Sequence, residues 1–95
     1  MTAVSILAPG NIAAISSEIV VSAGAVAMVG IYSASDESAP VGVQFEIKQA
    51  TPGARNIVGR LYQASRSTAL LGPGTFIVSR PEYKGAPFGV FADLG

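Results

Sequence analysis

Glycine and proline divide this chain into short apolar runs, and that spacing limits the fold more than any other feature of the sequence. The breaks include Pro9-Gly10, Ala23-Gly24, Pro52-Gly53 and Gly72-Pro73-Gly74. The runs between them are rich in β-branched residues and too short for helices of ordinary length. We therefore predict an all-β chain of about seven short strands, folded as a small antiparallel β-sandwich or partly closed barrel with an N-terminal arm.

The strand signals are clearest near the end of the chain. Residues 75–79 are β-branched and aromatic, and Pro81 ends the run because proline has no amide hydrogen for a ladder. Gly74 opens this strand rather than a helix, so the Gly-Pro-Gly turn is not a phosphate loop. In the next run, Phe88, Val90 and Ala92 share one face and Phe91 lies on the other. We expect neither face of that strand to lie wholly in water.

The middle of the chain predicts a hairpin. Alternation of apolar and polar residues over 41–49 points Val41, Val43, Phe45 and Ile47 inward. Residues 57–62 alternate again after the turn at Pro52-Gly53, so the two runs are predicted to pair antiparallel. Residues 63–68 are predicted to form a loop.

The first third of the chain is less clearly patterned. Residues 1–17 form either an N-terminal arm or an edge strand, in which Asn11 could cap one helical turn through Ile15. Residues 18–95 form a single β-sandwich domain. Residues 18–22 and 25–33 predict two strands that Ala23-Gly24 could join as a hairpin. Residues 26–32 are apolar on both faces, which predicts a central strand covered on both sides.

The balance of apolar and charged residues predicts a partner. The 95 residues are 49% apolar and 13% charged, against about 25% charged in an ordinary soluble domain. Residues 1–47 carry four acidic and no basic side chains, whereas residues 48–95 carry six basic and two acidic ones. Either the halves interleave within one sandwich, or acidic and basic surfaces face neighbouring copies, in which case high salt would weaken assembly.

The residue types argue against catalysis, and we predict that the protein is not an enzyme. The chain has no histidine, no cysteine and no GxSxG motif, so a hydrolytic nucleophile would lack its usual base. Asp36-Glu37 lacks the ligand spacing of a calcium loop, and we expect no metal and no cofactor. Zero net charge argues against a nucleic-acid surface at Arg55, Arg60 and Arg66. The longest apolar run covers about 14 residues, short of the about 20 of a membrane helix.

One stretch resembles a known group of proteins. The sequence GTFIVSRP at residues 74–81, followed by GVFAD at residues 89–93, resembles the C-terminal signature of small β-rich virion proteins of tailed bacteriophages. The resemblance covers about the last quarter of the chain and carries over no catalytic residue. It implies a structural virion protein, with a capsid decoration (cement) protein as the first interpretation and a tail, collar or fibre component as the second. A carbohydrate- or receptor-binding module using Tyr62 and Tyr83 is the alternative from another class.

The resemblance also implies partners and a place of action. The partners would be the major capsid protein or other virion proteins, and the chain would form a homo-oligomer such as a trimer. It would reside in the virion, assembled in the host bacterial cytoplasm, with no nucleic acid and no membrane bound. The candidate contact residues lie in the N-terminal arm and at two aromatic positions expected to be exposed: Val4, Ile6, Leu7, Ile12, Tyr83 and Phe88. Ordinary packing in the core or at its rim is the alternative for all six.

Overall fold

The computed structural model describes residues 3–33, 42–50 and 56–93, and within these ranges the chain forms nine strands and no helix. The strands are β1 (Ala3–Gly10), β2 (Ala14–Ile15), β3 (Ile19–Val21), β4 (Val26–Ser33), β5 (Phe45–Gln49), β6 (Ile57–Leu61), β7 (Ser67–Leu71), β8 (Gly74–Arg80) and β9 (Phe88–Asp93).

The strands form two antiparallel sheets that pack face to face as a small β-sandwich, which confirms the predicted fold class. The first sheet has the order β1-β9-β4-β7. In the second sheet, β8 pairs with β5 on one side, and β5 pairs with β6. On its other side β8 pairs with both β2 and β3, which together act as one interrupted edge strand. The first 17 residues thus supply edge strands to both sheets.

The core lies between the sheets and takes alternate residues from each. Its largest fully buried side chains are Phe45, Phe88, Ile47, Leu61, Val29, Val78 and Val90. The inward positions predicted for Phe45 and Ile47 are confirmed, as is the shared buried face of Phe88, Val90 and Ala92. Burying each large side chain contributes about 1.5–3 kcal/mol, and this set holds the sheets together.

The predicted hairpin at Ala23-Gly24 is wrong. β3 pairs with β8 in the second sheet, whereas β4 pairs with β7 and β9 in the first. Gly24 has a φ of 77°, a conformation that glycine adopts readily. The chain therefore crosses from one sheet to the other at this point.

Two further predictions are corrected. The predicted loop at residues 63–68 is too long, because Ser67 and Thr68 are the first two residues of β7. A tight turn precedes β7 and is closed by main-chain hydrogen bonds between Tyr62 and Ser65. The segment after Asn11 forms no helical turn, because Ala14 and Ile15 pair with β8.

The predicted hairpin of β5 and β6 is confirmed. The register pairs Phe45 with Leu61 and Glu46 with Arg60, and it shifts between Ile47 and Lys48. Lys48 Nζ also lies 3.7 Å from Glu46 Oε1. At these residues, acidic and basic side chains from the two halves of the chain interleave. Val41, the acidic loop at residues 34–40 and the turn at Pro52-Gly53 lie outside the described residues.

Candidate docking surface

Arg80 ties the N-terminal strands to the rest of the domain. Its side chain lies at the end of β8 and is only 5% exposed. Nε donates to the carbonyl of Ile12 at 2.8 Å, and Nη1 donates to the carbonyls of Ala8 at 2.8 Å and Phe88 at 3.0 Å. Because the planar guanidinium holds its donors in a fixed arrangement, it sets β1 and β9 at a defined separation.

Tyr83 makes a second set of bonds to the same region. Its hydroxyl donates a hydrogen bond to the carbonyl of Ala86 at 2.8 Å and accepts one from the N–H of Phe88 at 3.0 Å. The carbonyl of Gly10, 3.2 Å from the same hydroxyl, is a second acceptor within reach. Burial raises the pKa of Tyr83, although the bond from Phe88 and the charge of Arg80 act in the opposite direction. We call Arg80 and Tyr83 together the clasp.

Several of the residues predicted to contact a partner are instead buried or hydrogen-bonded within the domain, around the clasp. The expectation that Phe88 is exposed is wrong, because its side chain points into the core and is fully buried. Tyr83 is half-buried with its hydroxyl bonded internally, and Ile6 and Leu7 pack against the core. The structure does bring Tyr83, Phe88 and the N-terminal segment together, but in contacts within the domain. Of the six residues, Val4 and Ile12 are exposed, at 57% and 65%.

A different surface has the composition expected of a contact with another protein. On the outer side of the first sheet, β4 and β7 place Val26 opposite Leu71 and Met28 opposite Ala69. Val26 is 49% exposed, Met28 46% and Leu71 71%. We call these four residues the apolar face. Large apolar side chains on neighbouring positions of a sheet surface mark a site that another molecule can cover.

Aromatic side chains extend the apolar face across the sheet. Phe91 on β9 lies over Gly30, where an added Cβ would be 2.5 Å from the nearest ring atom. The ring of Tyr32 meets Phe91 edge-on, with centroids 6.4 Å apart. The hydroxyl of Tyr32 is hydrogen-bonded to Ser5 Oγ on β1 at 2.6 Å. The outer surface thus carries apolar or aromatic groups from the β7 edge almost to β1, with Asp93 of β9 lying opposite Met28 on the same surface.

Sequence reasoning missed the apolar face although the signal was present. Residues 26–32 are apolar on both faces, a pattern that predicts a strand covered on both sides. In the structure Ala27, Val29 and Ile31 enter the core, whereas Val26 and Met28 face outward and are about half exposed. A strand that is apolar on both faces is therefore consistent with an exposed apolar surface as well as with a covered central position.

No protein-family model matches this chain, and comparisons with curated proteins and with solved structures find no match. Over the residues that the structure describes, no helix is long and apolar enough to cross a membrane. The same residues contain no group of three or more His, Cys, Asp or Glu side chains that could hold a metal ion.

Proposed function

We propose that this protein is a non-enzymatic structural component of a bacteriophage virion, and that it is a capsid decoration protein which binds and stabilises the assembled head. The main support for a role in binding another protein is the exposed apolar face, formed by Val26, Met28, Ala69 and Leu71. The choice of a virion is supported by the resemblance of residues 74–81 and 89–93 to small β-rich phage proteins.

The physical basis of such a role is binding to one state of a partner. A domain that binds the assembled shell and not its free subunits stabilises the shell by its binding free energy. Removing the exposed parts of the Val26, Met28 and Leu71 side chains from water contributes about 1 kcal/mol each. Repeated over many copies of the shell subunit, a modest contribution per site becomes large for the whole particle.

The geometry does not favour the carbohydrate- or receptor-binding alternative. That function requires Tyr62 and Tyr83 on one exposed patch. Tyr62 is 38% exposed, but Tyr83 is half-buried and its hydroxyl is bonded within the domain.

The first experiment counts the copies of this chain in purified particles. Quantitative mass spectrometry against the most abundant shell protein is expected to give hundreds of copies, near a simple ratio to the shell subunit. A few to a few dozen copies would overturn decoration and assign the chain to the tail, collar or fibres. Absence from the particle would overturn the virion proposal.

The second experiment tests the apolar face with a matched pair of variants. Met28→Lys places a charge within the apolar face, and Val20→Lys places one on the outer side of the second sheet, where Val20 is 63% exposed. Binding to particles that lack the protein should weaken by about 10-fold or more for Met28→Lys, which corresponds to 1.4 kcal/mol. Val20→Lys should bind like the unchanged protein. Equal loss in both variants, or loss in Val20→Lys alone, would contradict the assignment of the contact.

A further inference from the structure

The β7 edge of the first sheet lacks the features that normally prevent a strand from pairing with another chain. Within the described residues β7 pairs with β4 alone, through five successive residue pairs without a register shift. Its sequence, STALL, contains no charge and no proline. Natural edge strands usually carry charges, prolines or bulges that block edge-to-edge pairing.

The other sheet edges in the described structure differ from β7. β1 has two register shifts and contains Pro9, and the carbonyl of Ile6 accepts the N–H of Ser17. β6 carries Arg60 and a register shift. β2 and β3 have two and three residues. Among these edges, β7 is the regular and uncharged one.

The hydrogen bonds to β4 show which main-chain groups of β7 face the open edge. Ile31 N–H donates to the carbonyl of Arg66, and Gly72 N–H donates to the carbonyl of Ala25. Hydrogen-bonded pairs alternate along an antiparallel ladder, so Thr68 and Leu70 also direct their N–H and C=O groups toward β4. The N–H and C=O groups of Ser67, Ala69 and Leu71 consequently point away from β4. These three residues are centred on Ala69.

We infer that two copies of this chain pair β7 against β7, antiparallel, about a two-fold axis at Ala69. An array of donors and acceptors centred on one residue is complementary to itself, as a two-fold interface requires. Ala69 would face Ala69 of the second copy, and Ser67 would face its Leu71. This register allows about six main-chain hydrogen bonds and joins the two four-stranded sheets into one.

The pairing also extends the apolar face. Met28 lies beside Ala69 on the outer surface, so the row Met28–Ala69 would continue directly into the same row of the second copy. The small side chain of Ala69 leaves no obstacle at the axis. A partner would then meet a single, two-fold symmetric apolar surface. The pairing depends on the main chain of β7 and not on the virion proposal, so it can be tested on the isolated protein.

The first test uses a proline that removes one outward-facing donor. Ala69→Pro deletes an N–H that β4 does not use, and proline is tolerated on an edge strand where its missing N–H faces solvent. Ala69→Thr is the control, because threonine keeps the N–H and suits a strand. Analytical ultracentrifugation should show a dimer for the unchanged protein and for Ala69→Thr. For Ala69→Pro the dissociation constant should rise by about 10-fold or more.

The second test reads the register by disulfide formation in a chain that has no native cysteine. Residues facing each other in a hydrogen-bonded pair have Cα atoms about 5.5 Å apart, within the range that a disulfide spans. Ala69→Cys should therefore cross-link to itself rapidly. Ser67→Cys should not, because its two copies would be offset by four residues, about 13 Å along the strand. A mixture of Ser67→Cys and Leu71→Cys should cross-link as a heterodimer.

Several results would overturn the inference. These are a monomer or a trimer at all accessible concentrations, an Ala69→Pro variant that dimerises like the unchanged protein, and self-cross-linking of Ser67→Cys as fast as that of Ala69→Cys. If Ala69→Pro fails to fold, the cysteine rates decide the question, because they come from variants that keep every main-chain N–H. Loss of the dimer would leave the particle count unaffected, so the two proposals fail independently.

Discussion

At the scale of single residues, Arg80 is the most informative side chain. Burying a guanidinium costs free energy because its charge leaves water. Here the hydrogen bonds to the carbonyls of Ala8, Ile12 and Phe88 offset that cost. Two of these carbonyls belong to the N-terminal segment and the third belongs to β9, so the same bonds position the N-terminal segment.

Replacing Arg80 should therefore destabilise the domain strongly. Arg80→Met keeps the aliphatic stem but leaves three carbonyl oxygens without this donor, and we expect a loss of about 3 kcal/mol in the free energy of unfolding. Arg60→Met is the control, because Arg60 is exposed on β6, and its effect should stay within about 0.5 kcal/mol. Urea denaturation measures both. Equal losses would show that the bonds of Arg80 add no stability.

Tyr83 should make stability depend on alkaline pH. Its pKa in the folded protein is raised above the ordinary value of 10.0, chiefly by burial. An unfolded tyrosine ionises first as the pH rises through 10, so the unfolded state becomes favoured and the stability that Tyr83 contributes is lost above that pH. The difference in Tm between the unchanged protein and Tyr83→Phe should therefore shrink as the pH rises above 10. A difference that stays constant or grows would contradict the prediction.

The sequence alone could predict where Arg80 lies along the chain but not where its side chain points. Pro81 correctly indicated that a strand ends at Arg80. Strand alternation with Phe76 and Val78 turns Arg80 inward, yet a charged residue is rarely buried unless it has partners. Those partners are main-chain carbonyls 8 to 72 residues away in sequence, and a local pattern carries no information about them.

At the scale of strands, the close approach of β1 and β9 depends on Gly89. A Cβ at this position would collide with the carbonyl oxygen of Leu7 and lie 2.9 Å from the nitrogen of Pro9. Both are backbone atoms, so relief requires that β1 shift away from β9.

Gly89→Ala should therefore destabilise the domain, whereas a matched strand glycine should tolerate alanine. We expect a loss of about 2–3 kcal/mol for Gly89→Ala from overpacking. At Gly59 an added Cβ would meet the flexible end of Ile47 at 3.3 Å, and Gly59→Ala should change stability by less than about 1 kcal/mol. Thermal or urea unfolding of both variants checks this. A neutral Gly89→Ala would mean that β1 is loosely held.

Local sequence signals predicted the strands better than their pairing. The β5–β6 hairpin was predictable because the two runs are adjacent in sequence, alternate clearly and have Pro52-Gly53 between them. The partners of β3 and β4 were not predictable, because Gly24 suits either a hairpin turn or a crossing between sheets. The apolar face was missed for the same reason: Leu71 and Val26 form a cross-strand pair 45 residues apart, so neither signals the other locally.

At the scale of the whole molecule, the arrangement of charges bears on how copies would associate. Glu46 is the cross-strand partner of Arg60, and its Oε1 lies 3.7 Å from Lys48 Nζ. Opposite charges are therefore neighbours within one domain. The four side chains of the apolar face and the outward main-chain groups of β7 carry no formal charge themselves, although Asp93 on β9 lies opposite Met28. Contacts made through them depend on apolar burial and hydrogen bonding, which salt screens little.

Association should consequently persist at high ionic strength. Between about 0.1 M and about 1 M sodium chloride, dimerisation and attachment to particles are expected to stay constant or to strengthen. Sedimentation and particle binding measured across this range check the prediction. Dissociation at high salt would favour the alternative in which acidic and basic surfaces of neighbouring copies meet.

The position of β9 has a consequence for how the protein is made. β9 lies between β1 and β4, so β1 can join its sheet only after residues 88–93 have been translated. Until then β1 and the edge of β4 that pairs with β9 remain without their neighbour on the nascent chain. Completion of the first sheet must therefore wait for the synthesis of β9, and pairings between distant segments form slowly. A ribosome-bound chain that stops before residue 88 should be sensitive to protease and should bind chaperones.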